Sequence, residues 1–265
     1  MANGTIRVLV CGAAGRMGQE TLRTVVDTEG LELVGAVDVV RVGESVGQLI
    51  GRHQALGVKI DSVLGNALAA TRPDVMVDFC QPVEAAAANF RQAVAAGVRP
   101  VVGTSGWTPE LVAEVAQLCA EHKVGAIIAP NFAIGAVLMM KCAALVAKYM
   151  PAVEIIEMHH DRKLDAPSGT AMRTAELIAE AGARSVAEQG AGEGFRGGTC
   201  QGVRIHSVRL PGLLAHQAVV FGELGQTLTI RHDSISRECF MPGVVLACRK
   251  VMELDELVFG LENLL

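Results

Sequence analysis

The sequence contains no Cys-x-x-Cys pair: its seven cysteines, Cys11, Cys80, Cys119, Cys142, Cys200, Cys239 and Cys248, are scattered and odd in number. Neither a disulfide framework nor a zinc ribbon follows from such a set, and a reducing compartment fits it best. A positive charge balance is also missing. The formal net charge of -5 gives no general attraction to nucleic acid or to acidic membranes. There is no long apolar run either, because the most apolar helical stretch, residues 134–150, carries Lys141 and Lys148 and is short for a span of ~20 residues. Met1, Ala2, Asn3 and Gly4 lead straight into a strand-like run, which leaves no room for a signal or transit peptide, so a cytoplasmic protein is expected. No internal repeat and no Ser- or Pro-rich linker interrupts the chain. What is present is a 265-residue chain that is 51% hydrophobic, enough to build one large domain or two ordinary ones around a substantial core.

Residues 6–11 are rich in β-branched and apolar side chains, and they run into Gly12, Ala13, Ala14, Gly15, Arg16, Met17 and Gly18 before the helical spacing of Leu22, Val25 and Val26. A strand, glycine turn and helix in that order place backbone N–H groups at a helix N-terminus, where a pyrophosphate can be held. A second strand over residues 31–37 ends at Asp38, about 20 residues beyond the last glycine, where a dinucleotide fold places the acid that binds the adenosine ribose. The spacing is G-x-x-G-x-x-G rather than G-x-G-x-x-G, and a packing turn would show the same glycines. Asp38 at the right distance favours the nucleotide. Its carboxylate accepts from two ribose hydroxyls and repels a 2'-phosphate, which favours NADH, while Arg41 leaves NADPH open.

The alternation then continues with strands over residues 75–79, 98–102 and 125–129 and helices between them. Thr108 and Pro109 stand as N-cap and first residue of a helix. Ligands of open α/β sheets bind at the carboxyl ends of the strands, so Gly103, Thr104 and Ser105 are expected to line the nicotinamide half of a cofactor site. A turn through Pro130, Asn131 and Phe132 leads into the helix over 134–150, and an interdomain hinge is placed there. Later, strands over 202–210, about 216–221 and 228–232 follow one another without helices, which predicts an antiparallel or mixed sheet. A polar, glycine-rich loop over 190–198 is a candidate lid, and the helix from about Met241 is expected to return to the first domain.

Chemistry concentrates in residues 154–171, which start as a strand, become densely charged and end in Pro-Ser-Gly-Thr before a helix. Ser168 is a candidate N-cap, and the first-turn N–H groups of Gly169 and Thr170 are the donors such a helix offers to a substrate carboxylate. His159 or His160 can deliver a proton near neutral pH, and Lys163 can bind an anion or act as an acid. A metal is not expected, since no third ligand stands at a familiar spacing. A solvated His-His-Asp loop and a surface Lys163–Asp165 ion pair are the bland readings of the same residues.

Residues 154–171 satisfy every position of the pattern E-[IV]-x-E-x-H-x-x-x-K-x-D-x-P-S-G-T-A, and with it the chain resembles the 4-hydroxy-tetrahydrodipicolinate reductase (dihydrodipicolinate reductase) family of the diaminopimelate branch of lysine biosynthesis. The likeness extends over Gly12 to Gly18, Val101 to Trp107, Ala129 to Phe132 and Leu228 to His232 with Ser236 and Arg237. It implies an α/β chain with an N-terminal Rossmann-like dinucleotide-binding domain (1–130 and 241–265) and an α+β substrate-binding and tetramerisation domain with a mixed β-sheet (131–240). It implies a homotetramer that reduces a cyclic dicarboxylate with NAD(P)H, with His159 and Lys163 as catalytic proton donors and His160, Gly169 and Thr170 on the substrate. The cofactor would lie at Gly12, Ala13, Ala14, Gly15, Arg16, Met17, Asp38, Gly103, Thr104, Ser105, Ala129, Pro130, Asn131 and Phe132. Val39 stands where the family often has an arginine for the NADPH phosphate, Ser105 replaces the second threonine of a G-T-T run, and Ala133 stands where serine is frequent.

Two other classes fit parts of the chain. A different nicotinamide-dependent dehydrogenase acting on an aldehyde would need a cysteine nucleophile, for which Cys80 is the candidate. A nucleotide-sensing protein would bind NADH yet tolerate replacement of His159 and Lys163.

Overall fold

The computed structural model describes residues 4–52, 56–186 and 195–265. The chain begins with β1 (Ile6–Cys11), α1 (Arg16–Asp27), β2 (Leu31–Val37), the short α2 (Val46–Leu49), β3 (Ile60–Asp61), α3 (Leu64–Thr71), β4 (Val75–Asp78), α4 (Val83–Ala95), β5 (Arg99–Val102), α5 (Pro109–His122) and β6 (Ala126–Ile128). It continues through α6 (Ile134–Ala147), β7 (Ala152–His159), α7 (Gly169–Glu180), β8 (Gly198–Cys200), β9 (Val203–Arg209), β10 (Ala215–Glu223) and β11 (Gln226–Ser234), then closes with α8 (Met241–Lys250) and β12 (Leu257–Phe259). Two compact units result: Met1–Phe132 with Phe240–Leu265, and Ala133–Cys239.

The first unit is a seven-stranded sheet in the order β12-β6-β5-β4-β1-β2-β3. All its ladders are parallel. Strands covered by helices on both faces read as continuous apolar runs, and every residue of β4 is accordingly buried. The strand order reverses between β1 and β4, the place where such sheets bind ligands. On one face Leu9, Met76, Leu64, Leu68 and Ala93 form a cluster; a second cluster gathers Phe90, Val102, Val115, Cys119 and Ile128. Burying Phe90 completely contributes roughly 2–3 kcal/mol. At the start of α5 the Thr108 hydroxyl accepts from Leu111 N–H at 3.3 Å, with Pro109 in the first turn.

The second unit is a five-stranded mixed sheet, β11-β10-β7-β9-β8, in which only the β7–β9 ladder is parallel. Side chains alternate along β7, so Val153, Ile155 and Glu157 are buried while Glu154, Ile156 and Met158 are half-exposed. Helices α6 and α7 pack against each other and against this sheet. The face that carries Glu154, Ile156, His206 and Val220 lines an open hollow of about 540 Å³.

The α/β class and the second, mixed sheet agree with the sequence reading; the smaller elements do not. Short α2, β3, α3 and β12 are absent from that reading: each is too brief for a period to declare itself and, unlike the equally short β4, β5 and β6, was not marked out by a continuous apolar run. The helix expected to reach Met150 stops at Ala147, and Gly198, expected in a loop, begins β8. Most of the candidate lid falls within residues 187–194, outside the described residues.

Gly18 shows how tightly β1 and α1 are joined, since a Cβ there would sit 2.0 Å from the Gly12 carbonyl oxygen. Gly18→Ala is expected to destabilise the protein by ~1–3 kcal/mol through backbone displacement. Gly65→Ala, where the nearest atom is the Gln92 side-chain oxygen at 3.8 Å and the site is helical, is expected to be neutral or stabilising by up to ~1 kcal/mol. Denaturant midpoints of the two variants check this, and equal midpoints would contradict it.

Candidate functional site

Within the first unit the glycine turn is shaped by backbone rather than side chains. Gly12 has φ +71°, a left-handed conformation that glycine adopts without strain, and Gly15 caps α1 without any side-chain hydrogen bond. No acidic residue lies in the first turn of α1, so the helix itself places no negative charge at its positive end. Asp38, at the carboxyl end of β2, accepts from Ala14 N–H at 2.9 Å and from Val40 N–H at 3.1 Å. Thus the acid is held against the turn, where a ribose would meet it. These features fit a dinucleotide: an uncapped helix start for pyrophosphate and an adjacent carboxylate for sugar hydroxyls.

At the neighbouring strand ends, Gly103 lies beneath Phe79, whose ring a Cβ would meet at 2.1 Å. The Phe79 ring meets Phe132 edge-on, with centroids 5.9 Å apart. Thr104 is almost wholly buried and donates to the Cys80 carbonyl at 2.7 Å, and Ala129 N–H donates to Val102 at 2.9 Å. Gly103, Thr104, Ala129 and Phe132 therefore belong to one continuous set of strand ends. Phe79 was not singled out from the sequence, because an aromatic that ends a buried strand looks like core. Burial, then the Asp78 carboxylate, push the Cys80 thiol well above the ordinary value, which disfavours the thiolate that a cysteine nucleophile needs.

In the second unit the charged residues gather at the end of β7. His159, the last residue of that strand, has Nδ1 2.5 Å from Glu157 Oε2. Glu157 is fully buried, and Arg209 grips it with two parallel bonds, Nη1 to Oε2 at 3.0 Å and Nη2 to Oε1 at 2.9 Å. Burial by itself would raise the Glu157 carboxyl, but hydrogen bonds from His159, Arg209 and Ser207 outweigh it and hold it at about 2. Arg209 Nη2 also donates to the Asp165 carbonyl at 2.7 Å. Lys163 Nζ is bound by both Asp165 carboxylate oxygens at 2.7 and 2.8 Å. His160 lies just beyond the strand, and its buried Nδ1 has no hydrogen-bond partner among the described residues.

Ser168 caps α7, its hydroxyl accepting from Ala171 N–H at 3.2 Å. Gly169 opens the helix, exposed, and a Cβ there would meet nothing within 4 Å. The protein's own packing does not require glycine at this position, and the space in front of the helix start is open. Thr170 is anchored in the first turn by Thr174, whose hydroxyl donates to the Thr170 carbonyl at 2.7 Å and receives a bond from the buried Gln217 at the same distance. Among the described residues no group of three or more His, Cys, Asp or Glu side chains is arranged to hold a metal ion.

Two charged residues of this cluster escaped the sequence reading. Glu157 could have been found, since it stands two residues before His159 and therefore on the same face of a strand. Arg209 carries no such signal, because its place opposite His159 depends on the parallel register of β7 and β9.

The depressed Glu157 carboxyl makes stability depend on acid. Stability from this group is fully present above its ordinary value of 4.5 and is lost as pH falls towards about 2. Glu157→Gln is expected to cost ~3–5 kcal/mol at neutral pH, because it breaks a buried ion pair, and to flatten the loss of stability across that acid window. Urea unfolding as a function of pH measures both, and an unchanged acid slope in the variant would refute the assignment.

Comparison with known proteins extends over the whole chain. The family model for the N-terminus of dihydrodipicolinate reductase matches residues 6–132, and the model for its C-terminus matches residues 135–265. The chain is 54% identical over 264 residues to the 4-hydroxy-tetrahydrodipicolinate reductase of Moorella thermoacetica, covering 98% of each. It is 49% identical over 266 residues to that of Listeria monocytogenes, covering 98% of this chain and 100% of the relative. Among solved structures, the dipicolinate-bound dihydrodipicolinate reductase from Paenisporosarcina sp. TG-14 superposes with a TM-score of 0.87 at 46% identity, covering 98% of this chain and 100% of that one. With both halves matched in order, the chain belongs to the dihydrodipicolinate reductase family.

Proposed function

We propose that this protein reduces 4-hydroxy-tetrahydrodipicolinate to tetrahydrodipicolinate with NAD(P)H, in the diaminopimelate branch of lysine biosynthesis. The observation that carries the reading is the cluster at the end of β7, where a histidine backed by a buried carboxylate shares one short segment with a lysine and a capped helix start. A bound nicotinamide supplies the hydride. The protein's part is to hold a dicarboxylate and add a proton separately. His159 and Lys163 are the proton donors, and His160, Gly169 and Thr170 bind the substrate carboxylates. The unpartnered His160 Nδ1 and the open space at Gly169 support that division. On the cofactor side we assign Gly12, Ala13, Ala14, Gly15, Arg16 and Met17 to the pyrophosphate and Asp38 to the ribose. Gly103, Thr104, Ser105, Ala129, Pro130, Asn131 and Phe132 take the nicotinamide end.

NADH is the favoured cofactor. Asp38 carries a charge that repels a 2'-phosphate, Val39 is an exposed apolar side chain, and Arg41, the nearest cation in sequence, is paired with Glu44 at 2.8 Å. We further propose a cytoplasmic homotetramer assembled through the mixed sheet. Its half-exposed face with Ile156 and Val220 is the surface suited to meet another copy.

Mixing the protein with NADH and enzymatically generated 4-hydroxy-tetrahydrodipicolinate should consume the nicotinamide absorbance, and no consumption with either cofactor would sink the proposal. His159→Gln and Lys163→Ala are each expected to lower kcat by ~10²–10⁴-fold while leaving NADH affinity unchanged. Retained turnover in both would instead favour a nucleotide-sensing role. Titrated side by side, NADH is expected to bind at least as tightly as NADPH; a clear preference for NADPH would overturn the weight placed on Asp38 and Val39.

A further inference from the structure

A histidine that donates a proton needs one ring nitrogen anchored and the other presented to the substrate. At the end of β7 the anchoring partner is Glu157, which has no exposed surface and is held as a carboxylate by its hydrogen bonds. A carboxylate can only accept, so the 2.5 Å contact places the hydrogen on His159 Nδ1. Nε2 is left to exchange a proton with a bound molecule.

Arg209 does two things at once. Its fork neutralises the buried Glu157 carboxylate, and the same Nη2 holds the Asp165 carbonyl at 2.7 Å. Asp165 in turn carries Lys163. The parallel ladder sets the Arg209 backbone directly opposite His159, and Leu210 N–H donates to the His159 carbonyl at 3.1 Å, so the root of the Arg209 side chain is fixed beside the residue whose partner it grips. Stability alone is a poor reason for this arrangement. Val153 and Ile155 fill the same face of β7, and replacing a buried ion pair by apolar residues of similar volume is often neutral or stabilising.

We infer that Glu157 and Arg209 are a positioning pair: Glu157 fixes the tautomer and aim of His159, and Arg209 holds both Glu157 and the Lys163 loop at the end of the same sheet. This rests on the assignment of His159 and Lys163 as proton donors.

The test is a double-mutant cycle in the full-length protein, with Glu157→Gln and Arg209→Lys each made alone and on a His159→Gln background. Arg209→Lys retains the buried charge and serves as the folding-safe arm should Glu157→Gln fail to fold. Each single variant is expected to lower kcat by ~10–1000-fold, with KM for the dicarboxylate and NADH affinity changed less than about threefold. On the His159→Gln background the further loss should shrink to under about threefold for Glu157→Gln and by at least about fivefold for Arg209→Lys, whose Asp165 contact persists. In 15N spectra of labelled histidine, His159 should carry its hydrogen on Nδ1 in the parent and become a tautomer mixture in Glu157→Gln. Equal losses on both backgrounds, or unchanged kcat in the single variants, would overturn the pair's role while leaving the catalytic assignment standing. Parent-like turnover of His159→Gln itself would overturn that assignment and this inference together.

Discussion

A carboxylate removed from water has to be surrounded by donors, and Glu157 meets that demand with a histidine on its own strand and an arginine on the next. The charged cluster at the end of β7 is built around this arrangement. The parallel register of β7 and β9 sets Arg209 level with His159, from where its side chain reaches Glu157 two residues back along the neighbouring strand. Among the described residues the sheet is otherwise built from antiparallel neighbours, so its one parallel ladder is also the one that brings Arg209 to Glu157.

The first unit solves a different problem with backbone alone. An anion-binding helix start must lie close to the strand that precedes it, and Gly18 allows that approach by having no side chain to place against the Gly12 carbonyl. Asp38 then closes the turn from the neighbouring strand by accepting from Ala14. The same economy recurs at Gly103 under Phe79 and at Gly243, where a Cβ would lie 2.0 Å from the Phe132 carbonyl oxygen. The C-terminal segment is thereby packed within the first unit, and β12 extends its sheet beside β6.

Much of this was legible in the residues. Strands β1, β2, β4, β5 and β6 of the first sheet announce themselves as apolar runs, and the caps at Thr108 and Ser168 are the hydroxyl side chains that helix starts ask for. His159, Lys163 and the start of α7 could be grouped because they lie within a dozen residues. What could not be read was the support beneath them. Arg209 sits in an ordinary alternating strand, and its sequence neighbours Val208 and Leu210 give no hint of a buried partner. Phe79 looked like core, and the short α3 and β12 were too brief for a period to be seen.

By itself, then, the sequence determined which chemistry was available and in what local order: a glycine turn followed by an acid, and a histidine, a lysine and a capped helix in one segment. Those are local facts, set by spacing along the chain and by the conformations each residue allows. Tertiary structure decided which groups support them, because strand register and long-range burial place Arg209 against Glu157 and Phe79 against Gly103. Local spacing can name a proton donor, but only the packing of distant strands can supply the buried charge that holds it in place.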